Sequence, residues 1–151
     1  MEHDEILSTI AHLDHSFNGT SEYKDALALL SQIDGAYLPL LFLPPNKAVW
    51  HGCAHVLKLI GFPRLESVIS LMLEWFQDLN YPGVDLIVDA LESCRKDFLI
   101  RSIEVAVRDA HSCRDESWVG GLKYLVGRLS LCAEDFNDSD IFELLQRSDF
   151  Y

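Results

Sequence analysis

His51-Gly52-Cys53-Ala54-His55 is the stretch whose residue types and spacing come nearest to a chemical motif in this chain. Residues four apart share one face of a helix, so His51 and His55 can address the same metal ion while Cys53 points elsewhere. A third ligand would have to come from Glu74 or Asp78 on the following helix. A zinc protease carries Glu directly after the first His of such a pair, and Gly52 stands there instead. Two unrelated histidines on a helix are the plainer account, and they are also the plainer account of His12 and His15, three apart. No cofactor is expected.

Carboxylates supply the other constellations. Glu74 and Asp78 lie four apart, and such a pair can do acid and base work when burial drives the two pKa values apart. Asp85, Asp89 and Glu92 share one face of the next helix and make an acidic strip. That strip suits a basic partner, although an ordinary solvated face has the same pattern. Nucleophile and phosphate motifs are missing from the sequence: there is no Gly-x-Ser-x-Gly elbow and no Gly-x-Gly-x-x-Gly or Walker pattern, and no Cys has a visibly activating setting.

Charge and composition narrow the function classes. Twenty-four acidic against twelve basic residues give a net charge of −12, which repels phosphate backbones and argues against nucleic acid. The expected partner is another protein, with a basic one the easiest to imagine. The longest apolar run, residues 37–43, is far too short to cross a membrane and contains Pro39. The acidic opening Met1-Glu2-His3-Asp4-Glu5 lacks the features of a secretion signal, so the expectation is a soluble, cytoplasmic protein. Cys53, Cys94, Cys113 and Cys132 contain no Cys-x-x-Cys pair and are read as reduced small hydrophobes.

The elements that must position these residues are helical. Over residues 63–91, Leu65, Val68, Ile69, Met72, Phe76 and Leu79 recur at three- and four-residue steps, and Val84, Ile87, Val88 and Leu91 repeat the pattern after Asn80-Tyr81-Pro82. The spacing predicts two amphipathic helices packed antiparallel through a tight corner, with Trp75 and Tyr81 packing their ring bodies inside. Asp78 and Asn80 are placed to accept the free N–H groups of the second helix. Further helices are expected over residues 4–15, 21–33 and 47–60, around Leu99–Ala110 and Trp118–Leu129, and at Ile141–Leu145. A buried irregular or short helical piece is expected before Pro44-Pro45. Arg101, Glu104 and Arg108 read as a solvated face with weak ion pairs.

A repeat is visible when Trp50 is set on Tyr81, because Gly52 then falls on Gly83, Cys53 on Val84, Val56 on Ile87 and Ile60 on Leu91. Trp118 continues the series more loosely, with Gly120 in the matching place and later apolar positions displaced by about one. Periods in the thirties point to a single all-α domain over residues 1–151, built as a short HEAT- or armadillo-like α-solenoid of antiparallel helix pairs. About seven helices are expected, with residues 1–45 as N-terminal helices and 46–135 as the repeat core.

Leu73-Glu74-Trp75-Phe76-Gln77-Asp78-Leu79-Asn80-Tyr81-Pro82 resembles the central signature of an uncharacterised bacterial family, a domain of unknown function carrying Glu-Trp-Leu-Gln-Asp-x-Asn-Trp-Pro. Phe76 stands for its Leu and Tyr81 for its Trp. Ile60-Gly61-Phe62-Pro63 is similar to that family's Ile-Gly-Tyr-Pro corner, and Asp115-Glu116-Ser117-Trp118 to its Asp-Glu-x-Trp helix start. The resemblance spans about half the chain and implies a small all-helical, HEAT-like protein, without bringing catalytic residues. Combined with the charge, the expectation is a non-enzymatic protein-interaction module, of the size and acidity of an immunity protein or antitoxin. Its candidate binding residues are Glu74, Trp75, Asp78, Asp85, Asp89 and Glu92. The alternative is a small metal-binding protein or metal-dependent enzyme using His51 and His55.

Overall fold

Three helix starts are fixed by side chains that accept backbone N–H groups left free in the first turn. Thr20 Oγ1 accepts from Tyr23 at 3.2 Å, Asp115 Oδ1 from Trp118 at 3.0 Å and Asp138 Oδ1 from Asp140 at 3.0 Å. The computed structural model describes residues 1–149. Eight α-helices lie within them: α1 (His3–Ala11), α2 (Ser21–Leu30), α3 (Trp50–Ile60), α4 (Ile69–Glu74), α5 (Val84–Leu91), α6 (Lys96–Ser112), α7 (Glu116–Arg128) and α8 (Ser139–Gln146). No strand occurs among the described residues, and no helix there is long and apolar enough to cross a membrane.

Counting the seven-residue 3-10 segment Gly35–Leu41 and leaving aside the three-residue 3-10 turns, the described residues hold nine helices rather than about seven. That segment is the apolar piece around Pro39. Asp34 Oδ1 accepts from Ala36 N–H at 2.9 Å and starts the coil, and three residues per turn carry both Leu38 and Leu41 into the core.

Residues 63–79 do not form one helix. They divide into the 3-10 turn Glu66–Val68, the six-residue α4 and the 3-10 turn Trp75–Gln77. Carbonyls at the end of this segment are taken by α7: Trp118 Nε1 donates to Leu73 O at 2.9 Å, and Ser117 Oγ to Gln77 O at 2.8 Å. The antiparallel hairpin expected from the spacing is therefore replaced by other pairings. α5 packs chiefly on α3, α4 on α6, and α7 on both α6 and Trp75–Gln77, while α1 and α2 pair with each other and α2 reaches α3.

The recurrent glycines mark close approaches: Gly52 of α3 against Leu13, in the turn after α1, and Gly83, just before α5, against Ala54 of α3. A Cβ on Gly52 would lie 2.7 Å from Leu13 Cβ, and one on Gly83 2.5 Å from Ala54 Cβ. A third close approach, the crossing of α7 over the Trp75–Gln77 turn, uses Gly121, where a Cβ would fall 1.8 Å from Phe76 O. It lies one residue beyond Gly120, in step with the displaced apolar positions that follow.

α6 departs from its predicted exposure at one residue. Glu104 is 3% exposed, with Oε1 accepting from Asn137 Nδ2 at 3.0 Å and Oε2 from the Asp138 N–H at 2.7 Å. It ties down the approach to α8 instead of sharing a solvated face. Arg108 bridges to Asp138 at 3.1 Å and Arg101 to Asp97 at 3.7 Å. Of the four thiols, Cys53 and Cys94 are buried as expected, whereas Cys113 and Cys132 are exposed, and all four are free.

Gly121→Ala should lower unfolding stability by about 3 kcal/mol or more, because a backbone carbonyl cannot swing aside as a side-chain tip can. Gly127→Ala, on the same helix with nothing within 4 Å of the new carbon, should instead stabilise by up to about 1 kcal/mol. Urea denaturation of the two variants checks the crossing. Similar losses in both would remove it as the cause.

Candidate functional site

The corner between Trp75–Gln77 and α5 builds the site. Asp78 Oδ1 accepts from the Asn80 N–H at 2.8 Å, and Asp78 O accepts from the Tyr81 N–H at 3.0 Å. Asp78 thus holds the turn itself. The expected capping of α5 by Asp78 and Asn80 does not occur; that helix starts from Gly83, at φ +91°, without a side-chain cap. Trp75 is fully buried, and its Nε1 donates to Pro82 O at 2.9 Å. It is a core pin and cannot meet a ligand, contrary to its place among the candidate binding residues.

The same corner presses Tyr81 edge-on against Trp50, with ring centroids 5.0 Å apart at 84°. Trp50 in turn donates from Nε1 to Pro44 O at 2.6 Å and meets Trp75 at 6.4 Å. Exposed Lys47, one helical turn before Trp50, places its ammonium 5.4 Å from the Trp50 ring centre and 5.5 Å from that of Tyr81. Two perpendicular rings facing one cation is the geometry of a cation–π pair on each ring.

Beside Tyr81 opens a cavity of about 440 Å³, lined by His51, Leu79, Val84, Asp85 and Leu86 and, from α7, Tyr124. At its edge Arg128 Nη1 donates to Asp85 Oδ1 at 3.0 Å and also to Tyr124 Oη, and the guanidinium carbon stands 5.5 Å from the Tyr124 ring centre. Tyr124 Oη lies 3.4 Å from the same carboxylate oxygen. Of the acidic strip, Asp85 therefore faces Arg128 of α7, and Asp89 faces Lys58 of α3 at 3.3 Å. Glu92 is exposed and makes no ion pair among the described residues; it lines a further cavity with Cys94, Lys96 and Arg128.

The histidine pair is not completed. His51 Nδ1 is buried without a hydrogen-bond partner, and the His51 ring meets His15 edge-on at 6.1 Å. Among the described residues, no three His, Cys, Asp or Glu side chains converge as a metal site. Glu74 lines a separate recess with Ser70, Ser102 and Asp109, where burial pushes its carboxyl upward, and Asp78 is spent on the corner. Cys53 is likewise unsuited to act as a nucleophile, because burial pushes its thiol up to about 12.

Lys47, Tyr124 and Arg128 are residues of the site that sequence reasoning missed. Their helical spacings were available: Lys47 and Trp50 lie three apart, and Tyr124 and Arg128 four apart, which makes each pair neighbours on one helix surface. Nothing in the sequence ties Arg128 to Asp85, 43 positions away.

His55 gives the site region a pH dependence. Burial, then the charges of His51 and Lys58, lower its pKa. Its folded value lies below the unfolded one, so the unfolded chain binds the proton first and stability falls as pH drops below about 6.5. His55→Gln should lose less stability than the unmodified chain between pH 7.5 and pH 5 in urea titrations. Parallel curves for the two would dismiss His55 as the source.

Compared with known proteins, the chain matches no family model, no curated protein and no solved structure.

Proposed function

We propose that this chain is a protein-interaction module that engages a basic protein through the α5 face and its surroundings. The observation that carries the reading is the distribution of charge. The chain has twice as many acidic as basic side chains, and Asp85, Asp89 and Glu92 stand together along α5 and its C-terminal end. The ion pairs at Asp85 and Asp89 are exposed, and pairs of that kind contribute only about 0–1 kcal/mol, so an incoming basic residue displaces them at small cost. Glu92 offers a carboxylate without such a pair.

Within this reading, a cytoplasmic immunity protein or antitoxin that covers the basic surface of a toxin fits the size and acidity. The HEAT-like solenoid is part of the same proposal, supported by the 31-residue recurrence of Gly52 and Gly83, each of which allows a close approach of another segment. The likeness of residues 73–82 to a bacterial helical family agrees with it.

A pull-down from the native lysate should recover a basic protein at low salt and lose it at high salt. With that partner, the double reversal Asp89→Lys/Glu92→Lys should slow association about tenfold and flatten its salt dependence, since rim charges act mainly on the on-rate. Unchanged association rates in stopped-flow measurements would rule out steering by α5.

A further inference from the structure

We propose that the cavity between Tyr81 and Tyr124 is a recognition pocket for an arginine side chain of the partner protein, and that Arg128, from outside the cavity, holds its Asp85 and Tyr124 in the free chain. The inference rests on the interaction reading above and specifies what the partner must present. Arg128 displays the recognition chemistry directly: its guanidinium pairs with Asp85 at 3.0 Å and lies over the Tyr124 ring at 5.5 Å. A carboxylate and an aromatic face together suit a planar, weakly hydrated guanidinium better than an ammonium point charge.

The pocket has room for such a group. Its volume of about 440 Å³ lies within the roughly 300–1,000 Å³ typical of ligand sites, and Leu79, Val84 and Leu86 supply apolar wall for the methylene stem of an entering side chain. The Asp85 side chain is 78% exposed, so an incoming cation can reach it without opening the core. At the opposite aromatic, Tyr81, the chain again supplies its own cation, Lys47, rather than leaving the ring open. In a chain with 24 carboxylates, Lys47 is held over two rings and makes no ion pair among the described residues. The cavity is thus flanked by two aromatic residues, each already facing a cation of the same chain. A partner arginine entering from solvent replaces Arg128 at Asp85 and Tyr124, and the displaced Arg128 is released to water.

The test uses the full chain and two probes, acetyl-tetra-arginine amide and acetyl-tetra-lysine amide, with affinities measured by calorimetry at fixed low salt. Arg128→Ala should bind the arginine peptide about two- to fivefold more tightly than the unmodified chain, the scale of one exposed ion pair. Arg101→Ala makes the same change in net charge on α6 and should leave the affinity near that of the unmodified chain. Adding Asp85→Asn or Tyr124→Leu to Arg128→Ala should cancel the gain, and the lysine peptide should gain less. Circular dichroism confirms folding, and Arg128→Gln serves as a second opening variant. Equal gains in Arg128→Ala and Arg101→Ala, or gains that survive Asp85→Asn, would mean diffuse charge attraction and overturn the pocket. If Asp89→Lys/Glu92→Lys slows partner association while Arg128→Ala leaves peptide affinity unchanged, the pocket falls and the α5 interaction face stands. A gain in Arg128→Ala beside unchanged association in the double reversal keeps the pocket and removes steering by α5.

Discussion

The crossing of α7 over the Trp75–Gln77 turn is the constraint on which the rest of the structure depends. Gly121 lets one backbone lie against another at Phe76, and the flanking polar groups, the Trp118 indole and the Ser117 hydroxyl, bond to carbonyls of the crossed segment. Those bonds occupy acceptors at Leu73, in α4, and at Gln77, the last residue of the turn, so the turn and α7 hold each other in place. The turn then sets the position of Tyr81, and Tyr81 sets one wall of the cavity. Trp50, Trp75 and Trp118 act alike in this scheme, because each drives its ring body inward and spends its single N–H on a main-chain carbonyl.

Much of the fold was legible in the sequence because burial recurs with the helical period. The apolar positions of α3, α5, α6 and α7 are buried where spacing placed them, except the half-buried Ile60 and Leu129 at helix ends, and Thr20, Asp115 and Asp138 open their helices as their types suggest. Pairing was less legible. Periodicity tells a helix which face to bury but not against which neighbour, so the spacing pairs α5 with α4 although it packs on α3. Glu104 illustrates a second limit: a carboxylate at an apparent surface position is buried because Asn137 and Asp138 come from 33 and 34 residues away to satisfy it.

The candidate site was legible in half. Asp85 and Asp89 are set on one helix, as the four-residue spacing required, while Glu74 and Trp75 face other surroundings. What escaped was the chain's tendency to answer its own surface groups. Arg128, Lys58 and Lys47 each engage a carboxylate or a ring that would otherwise be open, and such long-range pairs leave no local signal. In a strongly acidic protein that answers such groups internally, any incoming cation competes with a resident one at Asp85 and Asp89.

The close crossings also bear on how the chain reaches this structure. Helical proteins usually fold quickly because their contacts are local. Here Trp118 must find Leu73 across 45 positions, and Ser117 must find Gln77 across 40. These contacts close large loops, whose entropy is lost before the helix faces reward it. The topology thus gives an all-helical chain a share of the non-local pairing that slows folding in sheet proteins.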